Sequence, residues 1–314
     1  MSDNSPTNFL SKLLAAAWRQ DSLLCVGLDP QPEMMPVADV FDFNRAIIDA
    51  TSDLVCAYKP NLAFYEALGI DGLIALKKTV EYVPQDIPII GDAKRSDIGH
   101  SAAAYARGLF TYFGFDAVTV NPYLGYDSVS PFLEYQGKGV FLLCRTSNPG
   151  AKDFQDFQDN RGQALYQKVA LKAREWASQT SPPNPLSVDG EGGKAGEFNP
   201  NPLSASREGE QGGEVVTRKG NIGLVVGATY PEELKWVRQN CPDMPLLIPG
   251  IGPQGGDLEK AVRFSVDSRG ERAIIVSSRQ VLYASRGKDF AQAARQAAMK
   301  LREEINRFRG RESP

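Results

Sequence analysis

Short apolar runs recur along the chain, and each one ends in polar or glycine-rich residues before a helical pattern begins. Eight such runs are present, at 23–28, 55–58, 87–90, 117–120, 139–144, 222–226, 245–248 and 273–276. Their residues are apolar almost without interruption, which is typical of parallel strands covered by helices on both faces. The runs therefore predict eight buried strands.

Apolar residues at helical spacing separate these runs and predict a helix after each of them. The expected helices are at 43–53, 63–82, 99–113, 127–135, 161–178, 231–240, from about 256, and at 289–308, with one more at 8–19 ahead of the first run. Eight strand–helix units in 314 residues predict an α/β fold, a (β/α)8 TIM barrel that forms a single domain over 1–314. The periodicity alone leaves an open, doubly wound sheet as the alternative.

One segment, 181–220, departs from this pattern. It is rich in Pro, Gly, Ser, Asn and Glu, and the sequence PNPLS occurs in it twice, at 183–187 and at 200–204. A segment with so few large apolar residues cannot bury enough surface to offset the entropy lost on ordering. We interpret it as a disordered, low-complexity insertion between helix five and strand six, at the amino-terminal face of the barrel strands.

The bulk composition excludes several classes of function. A net charge of −3, with no block of five basic residues, disfavours binding to nucleic acid or to an acidic membrane surface. No apolar stretch reaches the roughly 18 residues that a membrane span requires. The four cysteines form no CxxC pair, as expected of buried thiols in a cytoplasmic protein. Because His100 is the one histidine, most histidine-based metal sites are excluded.

The stretch 88–98, PIIGDAKRSDI, places three charged residues directly after an apolar run. Side chains alternate between the two faces of a strand, so Asp92 and Lys94 project to the same side of its end. Asp97 follows three residues later, and two carboxylates then bracket one ammonium group. Such a cluster is either an ion-pair patch at the surface or part of an active site.

Polar residues also follow the other predicted strands, and in a barrel these positions share one rim. Barrel enzymes keep their active sites on that rim. The rim residues are Asp29, Lys59, Asn61, Asp92, Lys94, Asn121, Ser147, Thr229, Gln254 and Arg279. The glycine-rich stretch 249–257 and Arg279 follow strands seven and eight, where this fold often binds phosphate through backbone amides and a guanidinium group.

Seven motifs in this order resemble those of the orotidine 5′-phosphate decarboxylase family, in its longer bacterial (type 2) subfamily. They are GLDP at 27–30, YKPN at 58–61, DAKRSDIG at 92–99, SNPGA at 147–151, GATYPEE at 227–233, PGIGPQGGD at 249–257 and SSRQVLYA at 277–284. The resemblance covers nearly the whole chain except 181–220. It implies a carboxy-lyase that converts orotidine 5′-phosphate to uridine 5′-phosphate and carbon dioxide, the last step of de novo UMP synthesis, without metal or cofactor.

The resemblance also implies the roles of individual residues. Lys59, Asp92, Lys94 and, from the partner chain, Asp97 match the charged catalytic array, with Lys94 as the proton donor. It implies a homodimer in which Asp97 and Ile98 complete the partner's site. The substrate-binding set that it implies is Asp29, Asn61, Ile98, Ser101, Ser147, Pro249, Gly250, Gln254, Ser278 and Arg279. Ser101 stands where many relatives carry threonine, so the hydroxyl is kept.

Within this set, the resemblance implies that Asp29 binds the ribose, that Ser147 contacts the pyrimidine, and that Gln254 and Arg279 bind the phosphate. The segment 148–160 after strand five is a candidate lid. The alternatives that remain open are a metal-dependent aldolase or sugar-phosphate synthase on the same barrel, a Schiff-base lysine enzyme, and a nucleotide-binding module that has lost its chemistry.

Overall fold

The computed structural model describes residues 8–178, 222–251 and 256–310. Eight parallel strands form one sheet in the order β2-β1-β8-β7-β6-β5-β4-β3. They are β1 (Leu24–Leu28), β2 (Ala57–Pro60), β3 (Ile90–Arg95), β4 (Ala117–Val120), β5 (Gly139–Arg145), β6 (Ile222–Val226), β7 (Leu246–Ile248) and β8 (Ala273–Ser277). The predicted TIM barrel is confirmed, and the open doubly wound sheet is wrong.

The two ends of this sheet meet between β2 and β3. Isolated bridges join Tyr58 to Ile89 and Asn61 to Asp92, and the Tyr58 amide donates to the Pro88 carbonyl at 3.0 Å. Every other pair of neighbouring strands forms a parallel ladder, with a register shift in the β3–β4 and β5–β6 pairs. The barrel is therefore closed, with a thinner seam between β2 and β3 than elsewhere.

Helices surround the barrel in the predicted alternation. They are α1 (Phe9–Arg19), α2 (Val40–Thr51), α3 (Leu62–Glu66), α4 (Gly69–Tyr82), α5 (Gly99–Arg107), α6 (Tyr126–Leu133), α7 (Leu165–Ser178), α8 (Pro231–Asn240), α9 (Leu258–Ser265), α10 (Arg279–Leu282) and α11 (Phe290–Phe308). The predicted helix at 63–82 is two helices, and Gly69, the first residue of the second, adopts a φ of +66°. The one predicted at 99–113 continues past α5 as a π-helix, Gly108–Phe113.

The barrel interior is filled by buried apolar side chains from all eight strands. Helix α1 covers the amino-terminal end of the barrel. A Cβ added at Gly139, the first residue of β5, would lie 2.5 Å from the Phe9 ring, and Phe9 meets Phe141 edge-on at 5.7 Å. That end is closed, which leaves the opposite, carboxyl-terminal end for a site.

The predicted insertion at 181–220 lies outside the described residues. Its two flanks, the end of α7 and the start of β6, match the predicted position between helix five and strand six. Within the described ranges, no helix is long and apolar enough to cross a membrane.

Candidate active site

A cavity of about 570 Å³ opens at the carboxyl ends of the strands. Most of the residues predicted for the site line it together. These are Asp29, Lys59, Asn61, Asp92, Lys94, Ser147, Pro249, Gly250, Ser278 and Arg279. The closed barrel thus brings to one cavity residues that are up to 250 positions apart in sequence, Asp29 and Arg279.

Three charged side chains form a continuous array in the cavity. The Lys59 Nζ lies 2.9 Å from Asp92 Oδ2, and the Lys94 Nζ lies 2.6 Å from Asp92 Oδ1. The Thr119 hydroxyl donates to the same Oδ1 at 2.9 Å and accepts from the Lys94 backbone amide at 3.0 Å. One carboxylate therefore holds two ammonium groups at fixed positions, and Thr119 ties the array to β4.

The members of this array differ in exposure. The side chain of Lys59 is 5% exposed, that of Asp92 11%, and that of Lys94 47%. Burial alone would lower the pKa of Lys59, but the carboxylates of Asp92 and Asp29 outweigh it and raise that pKa. Burial would raise the pKa of Asp92, yet Lys59 and Lys94 hold it well below its usual range. Both partners are charged at neutral pH.

The backbone of β3 turns Lys94 toward the cavity. Its register against β4 shifts between Gly91 and Arg95, and Lys94 adopts a φ of +48°. The left-handed region is unfavourable for a residue with a Cβ, so it persists only where surrounding contacts enforce it. Here the Thr119 hydroxyl and the Asp92 carboxylate supply those contacts.

Asp29 is held at the end of β1 by contacts from β2 and from α10. Its Oδ1 accepts from the Asn61 backbone amide at 3.1 Å. The Tyr283 hydroxyl donates to the Asp29 carbonyl at 3.0 Å and accepts from the Gln31 amide at 2.7 Å. The carboxylate is thus presented to the cavity as a fixed acceptor, which suits a ligand hydroxyl.

Arg279 and Ser278 form the wall on the β8 side. Arg279 is exposed and begins the four-residue helix α10, which the sequence analysis did not predict. Gly250, on the neighbouring loop after β7, has a φ of +99°. A guanidinium beside a glycine backbone can bind an anion at this wall. Gln254, predicted for the same group, lies outside the described residues.

Three predicted residues, Asp97, Ile98 and Ser101, are not among those that line the cavity within the described chain. Asp97 accepts from the Ile98 backbone amide at 2.8 Å, Ile98 is 57% exposed, and Ser101 is exposed on α5. These positions follow β3 outside the cavity of their own chain.

Two further residues of the predicted rim also lie outside the cavity lining. Asn121 caps its own turn by accepting from the Tyr123 amide at 3.0 Å. The Thr229 hydroxyl donates to the Ser147 carbonyl at 3.3 Å. Across the described residues, no group of three or more His, Cys, Asp or Glu side chains is arranged to hold a metal ion.

Several cavity residues are not among those predicted from the sequence, namely Gln31, Phe64, Thr119, Thr146, Asn148 and Gln280. Thr119 carried a detectable signal, because it is a single hydroxyl within the apolar strand AVTV. Gln31 and Phe64 carried no such signal in the sequence. They line the cavity because the loop after β1 and the helix after β2 place them there.

Known proteins resemble the chain along nearly its whole length. The profile of the family described as orotidine 5′-phosphate decarboxylase / HUMPS matches residues 22–297. An orotidine 5′-phosphate decarboxylase from Dehalococcoides mccartyi (strain CBDB1) is 47% identical over 307 residues, covering 96% of this chain and 99% of that protein.

Solved structures resemble it as well. The OMP decarboxylase of Leishmania donovani has a TM-score of 0.73 and 35% identity, with 96% of this chain and 99% of that chain covered. The UMP synthase of the same organism has a TM-score of 0.75 and 36% identity, but the match spans 57% of that longer chain.

Proposed function

The chain belongs to the orotidine 5′-phosphate decarboxylase / HUMPS family, and from this we propose that it converts orotidine 5′-phosphate to uridine 5′-phosphate and carbon dioxide. The observation that best supports this activity is the Lys59–Asp92–Lys94 array in a cavity whose walls carry Asp29 and Arg279. This assigns the protein to the carboxy-lyases of pyrimidine synthesis.

Lys94 is the proton donor in this proposal. When the bond between the ring carbon and the carboxylate breaks, its electron pair stays on a carbon that cannot delocalise it. The ammonium group of Lys94 stabilises that charge as it develops and then transfers a proton to the carbon. The ion pair to Asp92 at 2.6 Å keeps Lys94 fixed for this step. No metal and no cofactor take part in it.

Asp92 and Lys59 prepare the site for this transfer. The Asp92 carboxylate pairs with the Lys94 ammonium group and lies where it crowds the substrate carboxylate, which departs as neutral carbon dioxide. Lys59, buried behind it, balances the charge and fixes the orientation of Asp92. The array is therefore preorganised before substrate binds.

The remaining cavity residues bind parts of the substrate away from the reacting carbon. Asp29 accepts from the ribose hydroxyls, Ser147 contacts the pyrimidine, and Arg279 with Gln254 binds the phosphate. Such remote contacts lower the barrier when their binding energy is used to hold the site closed over the substrate. The segment 148–160 is the lid in this proposal.

We also propose a homodimer in which Asp97 and Ile98 enter the partner's site. Exposed apolar side chains after β3 and β4 support the dimer, because a group of such side chains on a surface is typical of a protein–protein interface. They are Ile98 at 57%, Tyr105 at 41%, Tyr123 at 79% and Leu124 at 45% exposed. We place this dimer in the cytoplasm, because the four cysteines are free, buried thiols.

A spectrophotometric assay tests the activity. Purified protein is added to orotidine 5′-phosphate with a chelator present, and the absorbance of the orotidylate is followed. We expect consumption at the same rate with and without chelator, and equal amounts of carbon dioxide and uridine 5′-phosphate. Inhibition by the chelator would indicate the metal-dependent alternative, and covalent trapping by borohydride would indicate a Schiff base. An unchanged absorbance would refute the proposal.

A further inference from the structure

Arg145, the last residue of β5, is the largest fully buried side chain of the described residues. Its side chain is 1% exposed. Its Nη2 lies 2.9 Å from Asp156 Oδ1 and 3.7 Å from Glu233 Oε1, and its guanidinium carbon is 3.8 Å from the centre of the Tyr230 ring. None of the chemistry proposed above uses this residue.

The partners of Arg145 come from two loops at the cavity end of the barrel. Asp156 belongs to the segment 148–160 that joins β5 to α7, and Tyr230 and Glu233 lie at the start of α8. The guanidinium group therefore connects the candidate lid to the loop after β6. Arg145 also bonds through its backbone, since its carbonyl accepts from the Gly227 amide at 2.7 Å.

The two loops that Arg145 connects also form hydrogen bonds with residues of the cavity lining. The Gln155 amide oxygen accepts from the Thr146 backbone at 2.9 Å, and its Nε2 donates to the Thr146 hydroxyl at 2.8 Å. The Tyr230 hydroxyl donates to the Asn148 carbonyl at 3.4 Å. Thr146 and Asn148 line the cavity, so the position of the segment and the shape of the site are coupled.

Stability alone does not explain a charge at this position. Burying an ion pair costs about as much in desolvation as the attraction returns, and an apolar side chain of similar volume is often as stable. The Nε and Nη1 of Arg145 are also buried without a hydrogen-bond partner among the described residues. The guanidinium group instead fixes the relative position of the two loops, because its contacts have a defined geometry.

We propose that Arg145 is a positioning residue for decarboxylation, which holds the segment 148–156 so that Thr146, Ser147 and Asn148 face the pyrimidine. This rests on the proposed function. Without the guanidinium group, the segment loses the ion pair that links its Asp156 to β5, and the cavity wall becomes mobile. The chemical groups of the Lys59–Asp92–Lys94 array stay in place.

The test compares Arg145→Met with Arg238→Met. Arg238 is a second buried arginine, and it donates to the carbonyls of Ser265, Cys241, Pro242, Met244 and Arg272 at the opposite, amino-terminal end of the barrel. The Arg238→Met variant shows the general effect of removing a buried guanidinium group, and it serves as the control. Arg145→Lys is the conservative variant, and Asp156→Asn replaces the partner on the surface if Arg145→Met does not fold.

Two measurements are made on each variant, namely the kinetics of decarboxylation and the rate of tryptic cleavage after Lys152. For Arg145→Met and Asp156→Asn we expect kcat/KM to fall at least tenfold and cleavage at Lys152 to quicken at least fivefold, with saturating uridine 5′-phosphate slowing it again. Arg145→Lys should recover part of both. Arg238→Met should lower the melting temperature without selective cleavage at Lys152.

An Arg145→Met variant that folds, keeps kcat/KM within twofold and is cleaved at the wild-type rate would overturn the proposal. So would Asp156→Asn with both values unchanged, or equal losses in the Arg145 and Arg238 variants. If the wild-type protein did not consume orotidine 5′-phosphate, the proposed function would fail first. The cleavage rates without nucleotide would still show whether Arg145 anchors the segment.

Discussion

Lys94 occupies a backbone conformation that most residues avoid, at the point where the proposed chemistry occurs. Its φ of +48° costs on the order of 1 kcal/mol or more for a residue with a Cβ. The contacts that hold it come from Asp92 and Thr119, which also orient its side chain. The local strain and the position of the ammonium group therefore have the same physical origin.

Replacing Lys94 with alanine should abolish decarboxylation while the fold and product binding persist. The variant loses both the ammonium group that stabilises the carbanion and the proton that quenches it. We expect kcat to fall at least a hundredfold, or about 3 kcal/mol of transition-state stabilisation. Steady-state kinetics with calorimetric binding of uridine 5′-phosphate measures both effects. Lys78→Ala, at a lysine on α4, is the control, and a larger residual kcat would exclude the proton-donor role.

Asp92 makes the stability of the protein depend on pH in the acid range. A carboxyl whose pKa is lower in the folded than in the unfolded chain stabilises the fold above its unfolded pKa of about 3.9. That contribution is lost as the pH falls through the folded pKa. We expect the unfolding free energy of Asp92→Asn, measured in urea at pH 5 and pH 3, to fall less than that of wild type. Equal losses would mean that Asp92 is not stabilised as an anion.

At the scale of elements, the strands could be predicted better where they carry no charged site residue. The runs at 117–120 and 222–226 coincide with β4 and β6, because an apolar strand in a barrel is a continuous apolar run. Strands β2 and β3 extend past the predicted runs, to Pro60 and Arg95. Their charged residues interrupt the apolar pattern because those residues serve the cavity. The sequence signal is thus weakest where function is concentrated.

Other elements of the site could not be predicted from local pattern. Helix α10 has four residues, too few for a helical period to be visible. The contact of Tyr283 with Asp29 joins residues that only barrel closure brings together. Arg145 follows an apolar run in the sequence, and its burial depends on the segment 148–160 and on the start of α8, which pack over it.

Helix α10 gives Arg279 its position, and the loss of this side chain should impair substrate capture. Arg279→Ala removes the cation of the β8 wall but leaves the Lys59–Asp92–Lys94 array intact. We expect KM to rise by about a hundredfold and kcat to fall less, since phosphate contacts also help to close the site. Arg286→Ala, at an exposed arginine beyond α10, is the matched control. Wild-type kinetics in Arg279→Ala would mean that the phosphate binds elsewhere.

At the scale of the whole molecule, the cavity of one chain lacks a contribution from Asp97. This side chain follows β3 but does not line the cavity of the described chain. In the proposed homodimer, Lys94→Ala and Asp97→Ala chains complement each other, because a mixed dimer contains one complete site.

Equal amounts of the two inactive variants should therefore recover activity after subunit exchange. Random pairing makes about half of the dimers mixed, so roughly a quarter of wild-type activity is expected. Mass spectrometry of the intact dimers verifies the exchange. Exchange without recovered activity would assign Asp97 to the site of its own chain.

The seam between β2 and β3 is a place where bound substrate should stabilise the barrel itself. Two isolated bridges and the Lys59–Asp92 ion pair join these strands, whereas parallel ladders of paired residues join the others. Amide protons at this seam should exchange with deuterium sooner than those of β5 and β6, which share a longer ladder. A ligand that contacts Lys59, Asp92 and Asn61 at once bridges β2 and β3 and opposes their separation. Nucleotide binding should thus slow amide hydrogen exchange along β2 and β3. The nucleotide would then also stabilise the barrel against local opening between these two strands.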